Sequence, residues 1–411
     1  MTTPRPRRFP FVFALLFLLT CSSAAWAQHE GGVTGGGMIG GSTSRPTSKP
    51  ATSKPTSSTT RKKPPVTTTT KKPGTTSTAN SGTPNRPNTG ASTPTADYYY
   101  QQGESLYNAK KYREALDQYE RATQLNSSLS SAFYRMGWIY NDLEDYEQAI
   151  EPLQRAVSLV PNYSAAYFEL GYALKKLERF NEALAAFQQS ARAKPDYAAA
   201  HYEIGWVQND LKDYNAALTS LRSALQYRAD YPEARNEMGY ALRNLGRYQE
   251  AIQEYQEAIR IKPDMGLAHL GLGDVYYYNL KQYPDAAAAY KEGLRLRPDN
   301  VTALYNLGWC YNDLQRYGDA VAELRKAISL KPDYAEAYNE MGYALHQLAR
   351  YTDAVPAYLA AIRNKADYAS AHYNLGMSYI ALRNRNGALE QYRILQRIDA
   401  ARATKLFNQI K

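Results

Sequence analysis

Three segments of this chain share the order Gly-Trp-x-x-Asn-Asp, which puts an aromatic ring, an amide and a carboxylate within six residues. They hold Trp138, Asn141 and Asp142; Trp206, Asn209 and Asp210; and Trp309, Asn312 and Asp313. Three Gly-Tyr-Ala-Leu segments alternate with them and place Tyr172, Tyr240 and Tyr343 after the glycine. Aromatic rings beside carboxylates bind basic, aromatic or neutral ligands through stacking, cation–π attraction and charge. The motifs therefore predict a binding surface.

Catalysis needs reactive side chains that converge, and the sequence predicts no such group. Five histidines are spread along the chain, at His29, His201, His269, His346 and His372. No phosphate-binding loop, nucleophile elbow or metal-ligand spacing is present. Cys310 follows Gly308 inside an apolar helical pattern, which is typical of a core position. We predict that the protein is not an enzyme and carries no cofactor and no metal.

A repeat of 34 residues carries these motifs. Nine glycines share one local setting, with one spacing of 35 residues between Gly273 and Gly308; they are Gly103, Gly137, Gly171, Gly205, Gly239, Gly273, Gly308, Gly342 and Gly376. An alanine follows each glycine by twelve residues, or by thirteen after Gly273, and a large apolar or aromatic residue comes four later. A period of this length indicates stacked helical units, each too small to bury its apolar face alone.

The pattern resembles the tetratricopeptide repeat (TPR) family, in which small residues let two helices approach closely. The seventh repeat shows the motif as Gly308, Ala320, Leu324, Ala327 and Pro332. The resemblance implies an all-α fold, a right-handed α-solenoid of stacked antiparallel helix pairs. It divides residues 96–402 into nine repeats: 96–129, 130–163, 164–197, 198–231, 232–265, 266–300, 301–334, 335–368 and 369–402. A capping helix at 403–411, with its start near residue 400, is expected to follow.

In TPR arrays one stripe of the first helix lines a concave groove that holds partner peptides, and the resemblance implies the same here. The predicted groove residues are Trp138, Asn141, Asp142, Tyr172, Trp206, Asn209, Asp210, Tyr240, Trp309, Asn312, Asp313 and Tyr343, with Glu169, Glu203, Glu237 and Glu340 nearby. The alternative is that the rings only pack between neighbouring first helices and the carboxylates form a solvated face. Segments 131–140, 165–174, 199–208 and 302–311 contain no lysine, which argues against a clamp for a C-terminal carboxylate.

Residues 1–27 are predicted to be a secretory signal peptide. Arg5, Arg7 and Arg8 precede an apolar run that is too short for a stable membrane anchor, and Ala25-Trp26-Ala27 fits a cleavage site. Leu18-Leu19-Thr20-Cys21 loosely resembles a lipobox, which would attach lipid to Cys21. We predict a periplasmic or secreted protein, with a lipoprotein as the alternative.

Residues 28–95 form a basic linker rich in Thr, Ser, Pro, Lys and Gly, and are predicted to be disordered because they hold few apolar residues. They contain nine Lys or Arg and one acid, whereas residues 96–411 contain 37 basic and 38 acidic residues. The basic pI of 9.2 therefore arises outside the repeats. The linker is interpreted as a spacer, or as a segment that adheres to an anionic surface. Nucleic acid is not an expected partner because the linker lacks interleaved aromatic residues.

The sequence thus predicts an exported, non-catalytic TPR scaffold that mediates protein–protein interaction through an acidic, aromatic groove. Expected partners are other proteins or extended peptides of basic or neutral character. The alternative function is an envelope module that binds glycan or polymer, with the tail on an anionic surface. Two prolines inside predicted second helices, Pro152 and Pro356, are expected to kink or loosen those helices.

Overall fold

The computed structural model describes residues 94–411, and those residues form nineteen α-helices and no β-strand. In chain order the helices are α1 (Ala96–Asn108), α2 (Tyr112–Leu125), α3 (Ser130–Asp142), α4 (Tyr146–Leu159), α5 (Ser164–Lys176), α6 (Phe180–Ala193), α7 (Ala198–Asp210), α8 (Tyr214–Tyr227), α9 (Pro232–Asn244), α10 (Tyr248–Ile261), α11 (Gly266–Asp274), α12 (Tyr283–Leu296), α13 (Val301–Asp313), α14 (Tyr317–Leu330), α15 (Ala335–Gln347), α16 (Tyr351–Asn364), α17 (Ala369–Ala381), α18 (Arg385–Ile398) and α19 (Ala400–Ile410). The predictions for the signal peptide and for the linker up to residue 93 lie outside the described residues.

Each repeat is an antiparallel pair of helices joined by a tight turn. One residue of every turn has a positive φ, from +56° at Lys281 to +75° at Gly246, which reverses the chain within three residues. Each second helix packs against its own first helix and against the first helix of the next repeat. This arrangement confirms the predicted α-solenoid of stacked antiparallel helix pairs.

The repeat glycines lie where another helix leaves no room for a side chain. A Cβ atom built on Gly308 would lie 2.5 Å from Cγ of Leu324, which is itself fully buried. In the last repeat the neighbour of Gly376 comes instead from α19, whose Leu406 side chain is fully buried. The small residues of the motif are therefore required by the space between helices.

The seventh repeat offers a matched pair of glycine substitutions. Gly308→Ala should lower the free energy of unfolding by about 1–3 kcal/mol, because the new methyl group overpacks the contact with Leu324. Gly318→Ala should instead raise it by about 0.5 kcal/mol, since a Cβ there meets no atom within 4 Å and alanine loses less backbone entropy. Urea denaturation followed by circular dichroism measures both. Equal effects of the two substitutions would contradict this packing argument.

The sixth repeat absorbs its extra residue inside its first helix. Val275–Asn279 continues α11 as one turn of π-helix, in which each turn takes more residues than in an α-helix. Helices α4 and α16 run unbroken over 14 residues each, although they contain Pro152 and Pro356. Among the described residues, no helix combines the length and apolar character needed to cross a membrane.

Candidate partner-binding face

The predicted site residues lie on the first helices, on what we call the first-helix stripe: the residue after each repeat glycine and those four and five after it. First helices of successive repeats contact each other along much of the array, as α3 contacts α5 and α13 contacts α15. Stripe residues of neighbouring repeats therefore lie side by side. This places the predicted aromatic and polar residues on one continuous face.

The aromatic residues of the stripe are partly buried, and one edge of each ring packs on the preceding repeat. Tyr172, Tyr240 and Tyr343 each lie edge-on to the first residue of the preceding second helix, with ring centroids 6.2 Å apart. Trp138 packs in the same way on Tyr112, at 6.3 Å, and Trp206 packs on Phe180, at 6.2 Å. Packing between repeats thus fixes the orientation of the rings, and the remaining part of each side chain stays accessible to solvent.

The asparagines of the motif are buried and bind the next repeat. Side-chain Nδ2 of Asn141 donates to the carbonyl oxygen of Glu169 at 3.0 Å and to its Oε2 at 2.9 Å. The same two bonds join Asn209 to Glu237, at 3.0 and 3.1 Å, and Asn312 to Glu340, at 3.2 and 3.3 Å. We call these three pairs the Asn–Glu latches.

The latches correct one part of the predicted site. Asn141, Asn209 and Asn312 are only 3%, 0% and 3% exposed, so their amides are not on the accessible surface. The residue four after the glycine faces the neighbouring first helix, and its amide donates hydrogen bonds to the glutamate of that helix. Each asparagine is followed, 28 residues later, by a glutamate that precedes the alternating motif. This regular spacing was the signal in the sequence that could have revealed the buried pairs.

The aspartates that follow the asparagines stay at the surface. Asp142 and Asp210 are exposed, and Asp313 is half-buried. Asp313 accepts a hydrogen bond of 2.7 Å from the Tyr277 hydroxyl, and burial raises the pKa of its carboxyl group. The motif thus places one carboxyl group beside each tryptophan of the stripe.

Two residues of the stripe are cations, Lys175 and Arg243, each four residues after its repeat glycine. Lys175 directly follows the segment 165–174, which contains no lysine. Nζ of Lys175 lies 2.5 Å from Oε2 of Glu203 and 4.7 Å from the ring centroid of Trp206. Arg243 binds Asp274 at 2.5 Å, and its guanidinium carbon lies 5.7 Å from the ring centroid of Tyr240. Both pairs cross from one repeat to the next. The chain's own cations therefore pair with one carboxylate of the stripe, Asp274, and with one next to it, Glu203.

The π-helical turn of the sixth repeat adds a second aromatic cluster to the stripe. Asp274 accepts hydrogen bonds from Arg243 and from the Tyr290 hydroxyl, the latter at 2.7 Å. Tyr278 donates its hydroxyl to Asn306 Oδ1 at 2.8 Å, and its side chain is 42% exposed. Its ring lies 6.4 Å from that of Trp309. The sequence marked this repeat as irregular, but it did not reveal an exposed ring beside the third tryptophan.

The latch of the seventh repeat contains a carboxyl group with a strongly shifted pKa. Burial raises the pKa of Glu340 to about 7, although hydrogen bonds from Asn339 and Asn312 favour its charged form. Asn339 donates to Oε1 at 3.0 Å, so both carboxylate oxygens are held by amides. The folded protein therefore holds this proton more tightly than the unfolded chain does.

We expect the Glu340 carboxyl group to make stability depend on pH. Because its pKa rises on folding, from 4.5 to about 7, its contribution is fully present below pH 4.5 and is lost as the pH rises to 7. Glu340→Gln keeps an acceptor and removes the charge, so the variant should gain stability over the wild type across that window. Thermal unfolding at a series of pH values measures the difference. A difference that does not change with pH would contradict the assignment.

The histidines and the cysteine of the described residues lie in five different repeats. His201 lies 2.8 Å from the carbonyl oxygen of Pro195, and His372 lies 2.7 Å from Oε1 of Gln391, in separate repeats. The thiol of Cys310 is buried and donates to the Tyr283 carbonyl at 3.0 Å, and burial raises its pKa to about 12. Within residues 94–411 no three metal-ligating side chains group together.

Family models match most of the helical region. The models described as "Tetratricopeptide repeat" match residues 96–129, 168–225, 270–335 and 339–403, and the model described as "TPR repeat" matches residues 137–178 and 239–279. No curated protein matches the chain in sequence.

Several solved structures are similar to part of this chain. YrrB, described as a TPR protein with an unusual peptide-binding site, is 22% identical, with a TM-score of 0.40 over 45% of this chain and 95% of that one. A TPR repeat-containing protein of Cytophaga hutchinsonii is 16% identical, with a TM-score of 0.48 over 59% and 99%. MamA of Desulfovibrio magneticus is 18% identical, with a TM-score of 0.39 over 41% and 96%. At these identities the likeness concerns the fold alone.

Proposed function

Because the chain belongs to the tetratricopeptide repeat family, whose arrays are protein-interaction scaffolds, we propose that it holds an extended polypeptide along its first-helix stripe. One observation carries this proposal: three partly exposed tryptophans, each followed by a surface aspartate, stand on one face of the array. We further propose that the protein is exported through residues 1–27 and has no catalytic activity of its own.

The geometry of the stripe supports binding because the rings are already fixed before a partner arrives. The three Asn–Glu latches each join a first helix to the next first helix, and the edge-on aromatic contacts join stripe rings to the preceding second helix. A partner would therefore not have to order these side chains, and the entropy cost of association would be small. Aromatic residues held in this way are typical of the few positions that dominate binding energy.

The charges of the stripe support a partner of basic or neutral character. Asp142, Asp210 and Asp313 contribute carboxylates next to the tryptophans, whereas the stripe cations Lys175 and Arg243 are each bound to an acid of the next repeat. A positively charged or uncharged segment therefore meets a favourable potential, and an acidic one does not.

Affinity purification with the full-length protein tests the proposed function. The wild type and the variant Trp138→Ala/Trp206→Ala/Trp309→Ala would be immobilised in parallel, and the captured molecules identified by mass spectrometry. We expect a polypeptide that the wild type captures and the variant loses, while circular dichroism shows intact helices. Capture that resists protease but disappears after glycosidase treatment would favour the glycan-binding alternative. Equal capture by both proteins would contradict a role for the stripe.

A further inference from the structure

We call the contact between two consecutive repeats a joint. Three joints of the array contain a latch, so they can be compared residue by residue. Each of these joints combines an Asn–Glu latch, a surface aspartate and a tyrosine that lies edge-on to a preceding aromatic residue. The tyrosine pairs are the same in distance, 6.2 Å, and similar in interplanar angle: 69° for Tyr146–Tyr172, 69° for Tyr214–Tyr240 and 76° for Tyr317–Tyr343. A difference in the cations around these tyrosines therefore does not arise from a difference in how the rings pack.

Two of the three tyrosines hold a cation that belongs to the chain itself. Nζ of Lys175 and Nζ of Lys176 each lie 5.5 Å from the ring centroid of Tyr172. The guanidinium carbon of Arg243 lies 5.7 Å from that of Tyr240. These are distances at which a cation is attracted to the face of an aromatic ring.

The third tyrosine has no such partner. His346 occupies the position of Lys175 and Arg243, three residues after Tyr343. Its Nδ1 lies 2.9 Å from the Ser378 hydroxyl oxygen, its ring packs edge-on against Tyr351, and burial lowers its pKa. Among residues 94–411, no lysine or arginine lies over the Tyr343 ring.

The electrostatic surroundings of the tyrosines differ accordingly. Burial raises the pKa of Tyr240. The carboxylates Glu237 and Asp210 raise it further, and Arg243 lowers it. Around Tyr343, burial raises the pKa to about 12, and the equivalent carboxylates Glu340 and Asp313 add to the effect with no cation opposing them.

Neutral groups donate hydrogen bonds to the two carboxyl groups of this joint. Glu340 receives hydrogen bonds from two amides, and Asp313 receives one from the Tyr277 hydroxyl. Lys281, an exposed residue in the turn between α11 and α12, favours the charged form of Asp313, whereas no cation within residues 94–411 acts on the pKa of Glu340.

We propose that the joint between repeats seven and eight binds one cationic side chain, arginine or lysine, of the partner polypeptide. The cation lies on the ring of Tyr343 beside Asp313 and Glu340, in the place that Arg243 takes at Tyr240. This inference rests on the proposed function, because it names the anchor by which the stripe recognises an extended partner. The other two joints are occupied by the chain's own cations and do not compete for it.

A peptide with a single charge tests this site in the full-length protein. The probe is a fluorescently labelled Thr-Pro-Thr-Arg-Thr-Pro-Thr amide, and its comparison replaces the arginine by citrulline, which has the same shape and no charge. Affinities are measured by fluorescence anisotropy at low ionic strength, where charge is least screened. We expect the arginine peptide to bind about tenfold more tightly than the citrulline peptide. Equal affinities for the wild type would overturn the proposal.

Two substitutions at one position locate the cation. His346→Arg supplies the missing cation from within the chain and should remove the preference for arginine over citrulline. His346→Gln leaves the site without a cation and should retain the preference. Should His346→Arg fail to give the wild-type circular-dichroism spectrum, His346→Lys makes the same test with a shorter side chain. An arginine preference that survives the cationic substitution would overturn the assignment to this joint.

The proposed function and this inference can fail separately. If the triple tryptophan variant loses the captured partner but the arginine peptide shows no preference, the scaffold role stands and the cation site is wrong. If the peptide behaves as expected but the triple variant still captures the partner, the cation site stands and the role of the three tryptophans is wrong.

Discussion

Asp274→Ala should lower the free energy of unfolding by about 3–5 kcal/mol, because it leaves a buried guanidinium without its counterion. Asp274 is buried and accepts hydrogen bonds from Arg243 and from the Tyr290 hydroxyl. The Arg243 side chain is nearly as buried as its partner. Removal of the carboxylate therefore costs the charge pair and also strands two buried donors.

The loss in free energy of unfolding should be specific to the contact between repeats five and six. Asp264, an exposed aspartate between α10 and α11, provides the control, and Asp264→Ala should change stability by no more than about 0.5 kcal/mol. Asp274→Asn keeps an acceptor for the Tyr290 hydroxyl and should lie between the two. Urea denaturation measures all three variants. A loss below about 1 kcal/mol for Asp274→Ala would show that the ion pair contributes little to the array.

Replacement of Trp138, Trp206 and Trp309 together by alanine should have the largest effect on binding. Truncation of one interface aromatic that contacts a partner costs about 2 kcal/mol, which is roughly a thirtyfold loss of affinity. Three such losses should bring binding of the captured partner below detection by isothermal titration calorimetry. Because each ring also packs on a neighbouring repeat, some loss of thermal stability is expected as well.

The aspartates separate binding from packing in this experiment. Asp142→Asn, Asp210→Asn and Asp313→Asn keep the shape of the stripe and remove its surface charge. The combined variant should weaken a basic partner at low salt, with a smaller effect at high salt, because screening reduces the attraction in the wild type. If the aspartate variant binds as the wild type does at every salt concentration, the charge argument fails even if the tryptophans are required.

The sequence was sufficient to predict the packing of each helix pair. Gly308 and Leu324 occupy motif positions, and the structure brings them together as a small and a large residue in one contact. This contact lies within a repeat, where helical geometry alone fixes which residues meet. The nine-fold period then fixed the order of the pairs.

Contacts between repeats were harder to predict, because they depend on the angle at which one pair stacks on the next. Asn141 lies on the same side of its helix as Trp138, and the sequence could not show that its amide turns towards Glu169. The same limit applies to Lys175, which reaches Glu203 in the next repeat. The π-helical turn was hidden for a different reason: a loop could have absorbed the one inserted residue just as well as a helix.

Footprinting of the bound protein by hydroxyl radicals tests the central claim most directly, because it reports which side chains a partner covers. The full-length protein is oxidised alone and in complex with the polypeptide it captures, and each modified residue is located by mass spectrometry. We predict protection of Trp138, Trp206 and Trp309 on the first helices, while the exposed second-helix residues Tyr227 and Leu330 react unchanged. Protection of Tyr227 and Leu330, with the three tryptophans as reactive as in the free protein, would contradict a partner site on the first-helix stripe.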